Sequence, residues 1–266
     1  MKIKRVLSLL LALSLVLLAG CGTESQQPDD GLVAVYLPSK ITTSSTGTAE
    51  ETYTYLYADN WLEQPPYSWD VEWAQDEASF VQGTYTISDN CQTMLYSEDY
   101  AAAYFVERAE TYYDDQGNVT KTVIYHVEDA SLQWQKTAYA YDDQNHCTNI
   151  TSTIQWNDSQ ETSEITFTYE ETDGVFVGRG LDADGVLVQE IHYDGQGNQT
   201  ALVQYDTEGV VTLWVEQTFD EHGNVLTQKQ TYYGDSYDVT TEIAYEYTTV
   251  RVTPEVAAQL VGFNVG

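Results

Sequence analysis

Along most of the chain, apolar and polar residues alternate singly instead of recurring every three or four positions. In residues 162–169, Ile165, Phe167 and Tyr169 fall on one side and Glu164, Thr166 and Thr168 on the other. Residues 239–247 repeat the pattern, with Val239, Thr241, Ile243, Tyr245 and Tyr247 set against Thr240, Glu242, Ala244 and Glu246. Such alternation in Thr-, Val-, Tyr- and Ile-rich segments predicts half-buried antiparallel strands. Earlier in the chain, residues 32–43 and 51–58 predict a hairpin around Ser44-Ser45-Thr46-Gly47. Residues 67–73 and 80–87 predict further strands after the interruption at Pro65-Pro66. This half reads as the start of the same sheet, with a separate domain as the alternative. Residues 254–260 predict one or two helical turns covering the last strand and so protecting a sheet edge. The sum is an all-β antiparallel meander of about a dozen strands. Open sheets rarely exceed about 10 strands without curling or splitting, so strong curvature is expected, towards a barrel or two layers.

One turn recurs between the strands. It reads Tyr113-Asp114-Asp115-Gln116-Gly117-Asn118, Tyr193-Asp194-Gly195-Gln196-Gly197-Asn198 and Phe219-Asp220-Glu221-His222-Gly223-Asn224. Weaker copies begin at Tyr141, Leu181 and Tyr205, and aromatic register marks fall at Tyr125, Trp156, Tyr169, Tyr233 and Tyr245. From Tyr169 onward, successive starts are 12, 12, 12, 14, 14 and 12 residues apart. About seven strand residues and a turn of about five return the chain one strand over. Asp accepts a bond from the backbone two residues on, Gly supplies positive φ, and Asn tolerates it. At these residues the chain resembles the YD repeats of Rhs-type proteins, whose units read Tyr-Asp-x-x-Gly-Asn, over residues 113–247. The resemblance implies a continuously curling antiparallel sheet. The repeats are too few to enclose a cargo, so the strand–turn unit carries over and the encapsulating role does not.

The N-terminus carries a different signal. Lys2, Lys4 and Arg5 precede an apolar run over residues 6–18, too short for a spanning helix and suited to a secretory leader. Leu18-Ala19-Gly20-Cys21 then resembles the bacterial lipobox. That resemblance implies a lipoprotein signal peptide over residues 1–20, cleaved before Cys21 once its thiol is acylated with palmitate-type chains. Residues 21–31 become the lipidated Cys and a polar tether, and residues 32–266 a single all-β domain. The implied location is the extracytoplasmic face of a bacterial membrane.

Charge narrows the partners. The formal net charge is −32, and loss of Lys2, Lys4 and Arg5 with no acid takes it to −35. Nothing here neutralises a run of phosphates, which excludes nucleic acid, nor grips anionic lipid, so the acyl chains must hold the protein to the membrane.

Candidate chemistry is sparse. His126, His146, His192 and His222 show no metal-ligand spacing. Cys147 beside His146 lacks a second pair to complete a zinc site, so no metal and no cofactor is expected. The runs from Asp182 and Asp194 hold Tyr193 and Tyr205 where a calcium loop needs its twelfth-position Glu. Cys91 and Cys147 are the other cysteines of an exported chain and form a candidate disulfide. Trp61, Trp69 and Trp73 cluster around the two prolines, where indoles stack on a sugar ring or fill a wide β core. These features define a membrane-anchored, non-enzymatic binding or scaffold module of the cell envelope, with a carbohydrate or an envelope protein as ligand. The alternative is an envelope hydrolase of glycans or peptides, its catalytic acids hidden among the 42 Asp and Glu.

Overall fold

The computed structural model describes residues 31–265 with the exception of 77, 128–130, 173 and 235–236; the leader, Cys21 and the tether lie outside the described residues. The strands are β1 (Val33–Ser45), β2 (Glu51–Leu56), β3 (Tyr67–Gln75), β4 (Ala78–Ser88), β5 (Cys91–Tyr96), β6 (Val106–Tyr113), β7 (Val119–His126) and β8 (Leu132–Tyr141). They continue as β9 (Cys147–Trp156), β10 (Gln160–Thr172), β11 (Val175–Leu181), β12 (Leu187–Tyr193), β13 (Gln199–Tyr205), β14 (Val211–Phe219), β15 (Val225–Tyr232) and β16 (Val239–Val252). Each pairs antiparallel with its successor, and β16 returns to β1 from Val33↔Val252 to Ser45↔Thr241, closing a 16-strand barrel. Strands outnumber the expected dozen partly because β5 and β6 precede the first copy of the recurring turn. They flank an unforeseen helix α1 (Glu98–Tyr104), capped by Ser97, with Glu98 and Asp99 in its first turn where the helix dipole favours acids.

Strand direction alternates, so the connections divide between two ends. The proximal end, where β1 begins, carries the turns starting at Asp114, Asp142, Asp194 and Asp220. The distal end carries α1 and the turns starting at Asp182 and Asp206. All six turns have one geometry, the three weak copies included. The Asp Oδ1 accepts from the backbone N–H two and four residues on, at 2.8–3.0 Å. The fourth position adopts positive φ, 84° at Gly117 and 65° at Asn145, where the copy lacks Gly. A register shift accompanies each turn. Three times a tyrosine on the next strand donates its hydroxyl to the carbonyl just past the turn: Tyr141 to Val119, Tyr169 to Cys147 and Tyr247 to Val225, at 2.7–3.0 Å.

Sixteen strands enclose more space than aliphatic side chains alone fill. Long aromatic side chains take up that space, which gives a structural use to much of the chain's tyrosine. Near the proximal end, Val35 and Leu37 of β1, Tyr67, Trp69 and Val71 of β3 and Ile87 of β4 pack with Ala257 and Leu260. The last two belong to the C-terminal segment, which opens with helix α2 (Pro254–Ala257) capped by Thr253. The expected helix is therefore present, but its role differs: a closed barrel leaves no long edge to protect, and the segment fills the barrel end on the side of β1 and β3–β6. Gln92 Nε2 donates to Val261 O at 2.9 Å, Tyr67 OH donates to Gln259 Oε1 at 3.2 Å, and Phe263 lies against Trp69. Gly262 is required there, since a Cβ would sit 2.6 Å from the Tyr113 hydroxyl. The chain ends in β17 (Asn264–Val265), paired with β1 at Val35 and Tyr36, beyond the reach of β2.

Candidate functional site

The sequence-predicted residues do not converge on one place. Trp69 is 4 % exposed and stacks on Tyr85 at 5.5 Å, a core residue and not part of an open indole face. Trp61, on the loop between β2 and β3, packs edge-on to Trp69 at 5.6 Å, and Trp73 lies against Phe80 at 4.8 Å. Alternation explains the placement, because Trp69 shares the inward face of β3 with Tyr67 and Val71. Cys91 and Cys147 are free thiols, which corrects the candidate disulfide. Cys91 alternates with the buried Gln92 and Met94 and so faces outward, while Cys147 packs inward on Phe167, Ile191 and Tyr193. β6, β7 and β8 stand between their strands, about 19 Å of sheet at the usual strand spacing and far beyond bridging distance. The Asp182 and Asp194 carboxylates hold backbone amides, as turn chemistry requires. His146 is packed among Tyr169, Phe176 and Tyr193, its Nδ1 3.3 Å from Asp142 Oδ2. Cys21 lies outside the described residues.

What the structure brings together instead is a cavity of about 80 Å³ inside the proximal end, open to solvent. One wall comes from β7–β9 and the turns before β7 and β9: Val119, Tyr139, Tyr141, Cys147 and Ile150, with Asn118 and Asn145 at the rim. The facing wall comes from β12 and β13: Gln189, Ile191, Tyr193, Gln199 and Leu202. Between the walls lie β10 and β11. On β11, Gly178 and Gly180 lack the side chains that would collide with Tyr169 and Phe167, so both rings lie across that strand and support Ile191 and Tyr193 from beside them.

The lining residues include no Asp, Glu, Lys, Arg or His. Its tyrosines are held as neutral phenols: burial pushes Tyr139 and Tyr193 up to about 12. Burial raises Tyr141 further, helped by the nearby Cys147, and lifts the Cys147 thiol to about 12. Nearby rim carboxylates are engaged, since Asp114 Oδ2 accepts from Asn118 Nδ2 at 3.1 Å and Asp194 Oδ2 from Asn198 Nδ2 at 3.0 Å. The site thus offers aromatic and aliphatic walls, amide groups and weak hydroxyl donors at low local dielectric. That chemistry suits binding of an uncharged molecule and supplies no acid–base pair. Sequence reasoning missed this site, because its two walls are some 50 residues apart. One signal was available: Gly178-x-Gly180 inside a strand marks close approach of neighbouring groups.

No family model and no curated protein matches the chain. Among solved structures, it is similar to a porin-like protein from Bacteroides uniformis at 13% identity, TM-score 0.39, over 79% of this chain and 96% of that one. It is also similar to a LolA-superfamily protein from Nitrosomonas europaea at 9% identity, TM-score 0.30, over 86% and 90% of the two chains. Likeness at that level says nothing about ligand or activity. Fold and site together define a closed antiparallel β-barrel with an uncharged cavity at the end where its chain enters.

Proposed function

We propose that this chain is a lipid-anchored, extracytoplasmic binding protein of the bacterial envelope, acylated at Cys21 and acting without catalysis. The observation that carries the reading is the solvent-open cavity lined by aromatic, aliphatic and amide groups, with no carboxylate to act as acid or base. Its position supports the anchored arrangement. β1 starts at the proximal end, the end of the barrel at which the cavity lies. Eleven residues extend at most about 36–40 Å, which keeps that end within a short distance of the membrane. The charge of the mature chain opposes adsorption to anionic headgroups and keeps the mouth in solution.

The test has two arms. Cys21→Ser should abolish incorporation of labelled palmitate and leave an unprocessed precursor; equal labelling of variant and parent overturns the anchor. Leu202→Trp fills the cavity, and in the detergent-extracted full chain it should remove ligand-induced thermal stabilisation seen with a panel of small neutral molecules. Unchanged stabilisation in Leu202→Trp overturns the cavity as the binding site.

A further inference from the structure

Gln189 stands out among the cavity residues. It projects inward from β12 alongside Ile191, is 5 % exposed, and lines the cavity. Its side chain lines the open space of the cavity, where its amide is within reach of an entering molecule. An amide at the wall of an open cavity offers a donor and an acceptor to a group that enters from solvent. Gln199, on the next strand, lines the same wall and brings a second amide.

We propose that the cavity takes one ring of a neutral sugar, with Gln189 reading its hydroxyls and Gln199 assisting. The proposal rests on the binding-protein reading and names its ligand class. An amide presents a donor and an acceptor side by side, and two neighbouring hydroxyls present the complementary pair. The C–H face of the ring would lie against Ile150, Ile191 and Leu202 and the rings of Tyr139 and Tyr193. Tyr141 is braced by its bond to Val119 O, so it enters the contact already ordered. The mouth is open, so a ring enters directly from solvent and a longer glycan continues outward.

Charge decides against the other small-ligand classes. An anion would lose its hydration without gaining a cationic partner, and it would approach past Asp114, Asp142 and Asp194 at the rim. A quaternary ammonium would find aromatic rings but offers the Gln189 amide neither donor nor acceptor.

The experiment titrates the detergent-extracted full chain with methyl glycosides of neutral hexoses and N-acetylhexosamines, followed by saturation-transfer NMR and calorimetry, with choline as the cationic control. At least one neutral glycoside should bind saturably. Gln189→Leu should weaken it at least tenfold while the protein keeps a cooperative thermal transition. If Gln189→Leu does not fold, Gln199→Leu should weaken the same glycoside at least threefold. Glycoside affinity unchanged in the folded variants overturns the proposal. Binding of choline in place of any glycoside, blocked by Leu202→Trp, overturns the sugar assignment and leaves the cavity as a binding site. No saturable binding of either class overturns both.

Discussion

Replacing Asp194 by Ala removes three hydrogen bonds at once, and a natural control exists at the other end of the barrel. Asp194 Oδ1 accepts from Gln196 N at 2.8 Å and Asn198 N at 2.9 Å, and Oδ2 accepts from Asn198 Nδ2 at 3.0 Å. Asp206, in the distal turn, accepts the same two backbone bonds at 2.9 Å, but its fifth residue is Val210, which is 57% exposed and donates nothing from its side chain. Asn198 is 3% exposed. The shared backbone bonds contribute about 1 kcal/mol each, so Asp206→Ala should cost about 2 kcal/mol. Asp194→Ala adds the loss of a charge-assisted bond from a buried amide, about 2 kcal/mol more, for a total near 4 kcal/mol. For a domain of this size, a 2 kcal/mol difference corresponds to about 4–8 °C in melting temperature. Circular dichroism melts and urea titrations of the two variants should show that gap. Asp194→Asn should fall between Asp194→Ala and the parent, because it keeps an acceptor for the backbone but sets its own NH2 against the Asn198 NH2. Equal destabilisation by Asp194→Ala and Asp206→Ala would refute the argument that burial of the fifth residue gives the proximal turns their extra stability.

Two further outcomes follow from burial of ionisable groups. Tyr85, Tyr100, Tyr139 and Tyr193 are each pushed up to about 12, chiefly by burial, so the fold holds them protonated while the unfolded chain ionises them from about pH 10. Their contribution is complete below pH 10 and is lost as pH rises towards 12, at about 1.4 kcal/mol per unit for each tyrosine. The last part of the tyrosinate absorbance at 295 nm should therefore rise together with loss of the far-ultraviolet signal, in a steep step above pH 10. Complete tyrosinate absorbance reached with the fold intact contradicts this. In the Cys21→Ser chain, denatured and unreduced protein should label at two thiols. In the native protein at pH 8 Cys147 should stay unlabelled, because a thiol held near 12 is thiolate in only about one molecule in ten thousand. Absence of label in the denatured chain would mean that the two cysteines are bridged after all.

The sequence by itself determined the local unit and its repetition. Period-two alternation marked the strands because one face of the sheet is packed and the other wet. The Asp-x-x-Gly-Asn turn was legible even in its weak copies, because Asp142, Asp182 and Asp206 need only their own carboxylate and the next four backbone amides to form it. Helix α2 was legible in the segment from Pro254 onward. Curvature followed from strand number alone. Closure did not: the pairing of β1 with β16 joins residues some 200 positions apart, and no local pattern states which strand a terminal strand will meet. For the same reason the C-terminal segment's place in the barrel end, set by Gly262 against Tyr113, belongs to the tertiary structure. Trp69 and Cys91 depended on register, since one residue's slip exchanges inward and outward faces, and the local sequence around each leaves both open. The cavity is the extreme case. Gln189 is unremarkable among the glutamines of the chain until β12 faces β8 and β9 across the lumen, and only that long-range apposition puts its side chain at a cavity wall.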